Sequence, residues 1–209
     1  MRAHCLPALI PALFVASLAP AWAGEPTDQL KTSIDRVVQI LDDPGLKVES
    51  MATERHAALR QVANAIFDFS ETARRALGRH WHNLSDAARA EFVALFTDLL
   101  ERSYIGKMEQ YNGEKVRYVG DASDGNAAVV KTRLLTKAGA EVPVDYRMLK
   151  NGDRWLVYDV TVDGVSLVAN YRTQFNQIIQ SASYEDLVKR LRSRDQGFGA
   201  TPAGKTPRS

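Results

Sequence analysis

Glu141-Val142-Pro143-Val144-Asp145-Tyr146-Arg147-Met148-Leu149-Lys150 and Arg154-Trp155-Leu156-Val157-Tyr158-Asp159-Val160-Thr161-Val162 flank the short segment Asn151-Gly152-Asp153. In the first stretch Val142, Val144, Tyr146 and Met148 alternate with Glu141, Asp145 and Arg147. That period of two is the mark of a strand with one face on a core and one in water. An Asn-Gly pair between two such runs predicts a tight hairpin, because its turn needs positive φ at both central residues. In the second stretch Trp155, Leu156, Val157 and Tyr158 put apolar groups on both faces, which predicts a strand covered on both sides.

Working outward, residues 115–120 and 127–136 read as two further strands, with Asp124-Gly125 and Ala138-Gly139 at the connections. The four strands should therefore form an antiparallel meander. Upstream the period changes to that of helices. Thr27 or Asp28 can cap a helix carrying Leu30, Ile34, Val37, Val38 and Leu41, stopped at Asp43-Pro44-Gly45. Helices over 51–67 and 70–77 follow, the latter ending at Gly78. Ser85 caps a long helix with Phe92, Leu95, Phe96, Leu99 and Leu100 in a broad stripe, continued by Tyr104 and Met108. Downstream, 166–181 and 184–192 are helical by the same test. The expectation is an α+β fold, helices packed on a curved four-stranded antiparallel meander. A long helix laid across such a sheet makes a cone whose mouth can hold an apolar ligand.

The amino terminus predicts export. Arg2 precedes an apolar run from Leu6 to Leu18, and Ala21-Trp22-Ala23 offers small residues where a signal peptidase reads. Cleavage is expected after Ala23, which removes 23 of the 209 residues and leaves 186, enough for one domain at 24–195. A disordered tail is expected at 196–209, where Gly, Pro, Ser and Thr dominate. Arg2 is the only charge removed, so 26 basic and 25 acidic residues remain, and nucleic acid is not an expected partner. Cys5 is the sole cysteine and lies in the leader, which excludes disulfides, thiol catalysis and cysteine-ligated zinc.

No phosphate loop and no nucleophile elbow occurs, so no catalytic residues are assigned. His80-Trp81-His82 is one ligand short of a usual zinc site and reads as a polar helix connection, so no metal or cofactor is expected. Asp145 and Asp159 could approach on neighbouring strands beside Tyr146 and Tyr158, the one arrangement that leaves open a cone-fold enzyme acting on an apolar substrate. By alternation, however, Asp145 should point outward, and Asp159 should pair with an arginine or a backbone amide near a turn.

Several runs carry a family likeness. These are Val144-Asp145-Tyr146-Arg147, Trp155-Leu156-Val157-Tyr158-Asp159-Val160, Gly164-Val165-Ser166-Leu167-Val168-Ala169-Asn170-Tyr171-Arg172 and Gln174-Phe175. Upstream they are joined by Phe67-Asp68-Phe69, Leu77-Gly78, Trp81, Phe92, Phe96, Leu99-Leu100 and Tyr104. In this order, over nearly the whole mature chain, they resemble the MlaC family of toluene-tolerance auxiliary proteins. The resemblance implies an NTF2-like cone and a periplasmic phospholipid carrier that binds acyl chains. Its implied partners are an outer-membrane lipoprotein–porin complex and the MCE-domain subunit of an inner-membrane ABC transporter. Maintenance of outer-membrane lipid asymmetry is the implied role, and a monomer is expected. Carriage of a hopanoid or another apolar lipid stays open, as does an adaptor without a ligand.

On this reading the tails enter between the long helix and the sheet. Leu95, Leu99, Tyr104 and Met108 supply the helix wall, and Val144, Tyr146, Met148, Trp155 and Val157 the sheet wall. Val168, Tyr171 and Phe175 close the mouth, and Arg147, on the outward face, docks partners.

Overall fold

The hairpins form at the expected glycines but one residue later than expected: Asp124 pairs with Ala127 and Asn151 with Arg154, so Gly125-Asn126 and Gly152-Asp153 make the turns, and in these turns only the glycines take positive φ. The computed structural model describes residues 25–194 together with Gly197 and Phe198. The expected leader and its cleavage point at Ala23 lie outside the described residues, as does all of the expected tail except Gly197 and Phe198. One sheet runs in chain order through β1 (Lys115–Asp124), β2 (Ala127–Leu135), β3 (Glu141–Asn151), β4 (Arg154–Val162) and β5 (Val165–Ser166), antiparallel at every pair. β5 is one strand more than the four expected. Asp163 and Gly164 both have positive φ, +49° and +80°, so they fold the chain back as a hairpin and pair Val165 with Val162 before the next helix starts.

Two bulges set which residues share a face. In β1 Tyr118 pairs with Thr132 and Gly120 with Lys131, leaving Val119 over, 53% exposed. The chain thus bends at Gly120 and continues to Asp124 rather than ending there. In β4 Val157 pairs with Met148 and Asp159 with Arg147, leaving Tyr158 over. Val157 and Val160 therefore lie on the same face although three residues apart, opposite Met148 and Tyr146. Leu156, on the face opposite Trp155 and Val157, is half-buried, and the Arg75 guanidinium covers the Tyr158 ring at 4.0 Å, so both faces of the apolar run are partly covered. The resulting apolar face carries Val130, Thr132, Val144, Tyr146, Met148, Val157 and Val160.

The helices follow their caps. They are α1 (Glu25–Asp42), α2 (Pro44–Lys47), α3 (Ala52–Ile66), α4 (Phe69–Leu77), α5 (Asp86–Met108), α6 (Leu167–Ser181) and α7 (Tyr184–Arg192), with single 3-10 turns at Glu49–Met51 and Gly78–Asn83. Ser85 Oγ accepts the Ala88 N–H, Ser166 Oγ that of Ala169 and Ser183 Oγ that of Asp186. Asp43-Pro44, expected only as a stop, also starts α2: Asp43 Oδ1 accepts the Gly45 N–H at 2.7 Å and proline fills the first turn. Thr27 does not cap α1 but lies inside it, its hydroxyl donating to Asp121 Oδ1 at 2.9 Å.

The α3–α4 junction ties the helical half to the sheet. Phe67 bridges Val157, Asp68 N–H donates to Val157 O at 2.8 Å, and the Thr72 hydroxyl donates to Tyr158 O at 3.0 Å. The exposed backbone groups of β4 at its bulge are satisfied in this way.

Buried side chains gather in three clusters. A helical cluster joins Phe92, Phe96, Leu99, Tyr171, Phe175 and Leu187 from α5, α6 and α7. A sheet cluster joins Val130, Met148, Trp155 and Val157 to Leu30 of α1 and Ile66 of α3. A small third cluster sets Leu41 and Leu59 against Ile105. Among the described residues, α5 contributes to the first and third clusters and no strand residue shares a cluster with it. Phe198 is buried in the helical cluster, its ring edge-on to Phe175 at 5.8 Å, so the chain is packed at this point of the expected tail.

Candidate functional site

The twelve residues expected to line a pocket divide among these clusters. Leu99, Tyr171 and Phe175 belong to the helical cluster, with Leu95 and Tyr104 half-buried at its border. Met148, Trp155 and Val157 are the buried centre of the sheet cluster, with Tyr146 half-buried beside them. Met108 packs on the third cluster, Val168 is buried at the start of α6, and Val144 is half-buried on the apolar sheet face.

Two placements differ from expectation. Phe175, expected at a mouth, sits in the middle of an aromatic group, 5.1 Å from Phe96 and 5.7 Å from Phe92. It is fully buried there and holds α5 to α6. Trp155 faces a cleft of about 250 Å³ between α1, the end of α3 and the start of β4. That cleft is polar: Gln29, Thr32, Ser33 and Arg154 line it, Gln29 Oε1 accepts the Trp155 N–H at 2.8 Å, and Trp155 Nε1 donates to Glu25. Alternation puts Trp155 on the right face of the sheet but does not tell which end of that face is apolar.

Tyrosines border both clusters. Tyr171 is buried in the helical cluster with Tyr104 packed against it, and Tyr118 and Tyr146 pack against the sheet cluster. Burial drives the Tyr146 phenol up to about 12, and raises Tyr118 and Tyr171 well above the ordinary value for the same reason. The hydroxyls of Tyr104, Tyr118 and Tyr171 are buried without a hydrogen-bond partner in the protein. Sequence reasoning chose Tyr104 and Tyr146 as hydrophobic wall and Tyr171 at the mouth, and missed Tyr118. The alternation of Val116 and Tyr118 with Lys115 and Arg117 along β1 was the available signal.

The opposite sheet face is charged. Arg147 is exposed there, as alternation requires, and approaches Asp159 at 4.0 Å. Asp159 itself is buried, accepting the Ser166 hydroxyl at 2.7 Å and the Val168 N–H at 3.0 Å. Its role is the expected one, a structural carboxylate at a turn. Asp145 lies on the same outward face, across from Lys131 on β2. His80 donates from Nε2 to Asn176 Oδ1 at 3.0 Å on the 3-10 turn before α5. Among the described residues no three His, Cys, Asp or Glu side chains gather as a metal site, and no helix is long and apolar enough to cross a membrane.

These features define an α+β protein whose helices stand over the apolar side of a bulged antiparallel meander, with its chemistry in hydrocarbon and phenol groups. Residues 31–193 match the family model "MlaC protein", and the chain belongs to that family. A curated relative, the intermembrane phospholipid transport system binding protein MlaC of Haemophilus influenzae, is 21% identical over 120 residues. That match spans 55% of this chain and 56% of the relative, so the chain aligns with little more than half of it. Among solved structures, the phospholipid-binding protein of Ralstonia solanacearum in complex with a phospholipid is similar with a TM-score of 0.73 at 27% identity. The likeness covers 82% of this chain and 97% of that one.

Proposed function

We propose that the chain is an exported phospholipid carrier that takes acyl chains between its helices and the apolar face of its sheet. The observation that carries this reading is the likeness, over 82% of this chain, to a solved protein that holds a phospholipid. Two features of this chain support it. Its buried side chains form separate helical and sheet clusters, and the residues at their borders are half-buried, apolar or phenolic.

The energetics require such a container. A methylene is worth about 0.8 kcal/mol on burial, so one sixteen-carbon chain resists water by about 12 kcal/mol and two chains by about twice that. A protein that separates its helices from its sheet offers those tails a hydrocarbon surface and leaves the headgroup in solvent. From the sequence reading Tyr104, Val144, Tyr146, Val168 and Tyr171 are proposed to contact the tails, with Val160 and Tyr118 added; all but Val168 and Tyr171 are half-buried. Loading and unloading follow differential affinity between donor, carrier and acceptor. The periplasm is the compartment, and the donors and acceptors are complexes of the outer and inner membranes. Arg147 is the outward cation proposed to dock them.

Native mass spectrometry of the purified protein tests the reading: a species heavier by one or more phospholipids is expected. Protein that carries none, and takes up none from vesicles, overturns it.

A further inference from the structure

Tyr171 is fully buried by Phe96, at 5.1 Å, and by Phe175, and its hydroxyl has only the Ser103 and Tyr104 hydroxyls for polar neighbours. It lies beside Ser103 and Tyr104 on α5 without a hydrogen bond of normal geometry to either. The Tyr104 hydroxyl is likewise buried and unsatisfied. A phenol brings one proton and two acceptor sites, so a bond between the two tyrosines would still leave one donor unspent. Buried polar groups in folded proteins are satisfied almost without exception, and an orphan calls for an explanation. A phenylalanine would pack as well at either place if packing were the only demand.

The pair also has a definite position along the interface. Lys107 Nζ lies 5.1 Å from the centre of the Tyr104 ring, and Arg102 is near enough to Tyr171 to act on its charge. Both cations are exposed. The hydroxyls therefore sit at an end of the helical wall that passes from hydrocarbon to charged surface, not in the middle of the aromatic cluster.

We infer that Tyr104 and Tyr171 form a donor pair for the ester carbonyls of a diacyl lipid, making the site selective for acyl-ester over alkyl-ether chains. The inference rests on the carriage reading and adds its ligand chemistry. In a molecule that is otherwise hydrocarbon at this depth, the ester carbonyl is the acceptor available to a neutral phenol. Burial holds the Tyr171 phenol in its neutral, proton-bearing form well above the ordinary tyrosine range. An ether-linked lipid of the same chain length fills the same volume but offers only a weak acceptor, so the donors stay unpaired in its complex.

The test uses the whole mature chain stripped of lipid, with dipalmitoyl phosphatidylglycerol and its dihexadecyl ether analogue as probes. The unaltered protein should bind the ester about tenfold more tightly than the ether. The variant Tyr104→Phe/Tyr171→Phe should lose about tenfold for the ester and stay within twofold for the ether, removing the discrimination. Should the double variant not fold, each single variant should lose about threefold for the ester alone. Equal binding of the two lipids by the unaltered protein, or a variant that weakens both alike, overturns the inference while leaving carriage intact. An unaltered protein that binds neither lipid overturns carriage itself.

Discussion

The Asp159 carboxylate, buried in the bulged half of β4, accepts the backbone N–H of Val168 at 3.0 Å, so one strand residue holds the first turn of α6. Its other oxygen accepts from Ser166, the residue that caps the same helix. Sheet and helix are thus joined by a charge-assisted network at the point where Val168 and Tyr171 enter the interior. Asp159→Ala should lower unfolding free energy by about 2–3 kcal/mol, through an unsatisfied helix N–H and an uncapped turn. In denaturant titration, a loss below about 0.5 kcal/mol would show that the network does not hold α6.

Two valines on the apolar face separate folding from lipid retention. Val157 is fully buried at the centre of the sheet cluster, so Val157→Glu places an unpaired charge in hydrocarbon and should prevent folding. Val144 is only half-buried, two residues along from Tyr146. Val144→Glu should fold and lose co-purified phospholipid, as read by circular dichroism and native mass spectrometry. A folded Val144→Glu protein that retains its lipid would place the tails elsewhere.

Alkaline pH should act through the interior tyrosines. Tyr118, Tyr146 and Tyr171 titrate above the ordinary value of 10.0 when folded, because burial penalises the phenolate. Their contribution is complete below pH 10 and is lost as pH rises above it, since the unfolded chain ionises first. Stability should therefore fall steadily above pH 10, and less steeply in Tyr146→Phe. Ultraviolet titration should show a slow-ionising subset among the seven tyrosines, and one transition near pH 10 for all seven would contradict it.

Phe198 gives the carboxyl-terminal segment a structural task. Its buried ring meets Phe175 edge-on, so Phe198→Ala should cost about 2–3 kcal/mol, less than a central core phenylalanine because the chain can relax there. A midpoint of thermal unfolding unchanged from the unaltered protein would show that the contact is not maintained in solution.

Arg147 should behave in the opposite way. It is 53% exposed and stands 4.0 Å from Asp159, so Arg147→Glu should change stability by little. Lipid retention should persist, whereas association with membrane-derived partner complexes should weaken. Undiminished association in pull-down would remove Arg147 from the docking surface.

Much of the fold was legible because its signals are local. Ser85, Ser166 and Ser183 cap helices in the structure, Gly152 turns the β3–β4 hairpin, and Val142 to Met148 alternate as written. The bulges were not legible: nothing in Tyr158 or Val119 announces that it will be left unpaired, because that depends on the register of a partner strand. The site was legible only as a set of apolar candidates. Alternation and helical spacing give a residue its face, but not its place along that face. Trp155 and Phe175 show this: both point inward, one to a polar cleft beside Gln29, the other to the centre of the helical core.

By itself the sequence determined the longer elements, their antiparallel order and the family, since capping, turn chemistry and period are written in neighbouring residues. Tertiary structure decided which apolar side chains became core and which came to border the helix–sheet interface. It alone brought the Tyr104 and Tyr171 hydroxyls side by side in a buried setting. The physical reason is that burial and hydrogen-bond satisfaction are properties of groups brought together from distant parts of the chain, and no local pattern specifies them.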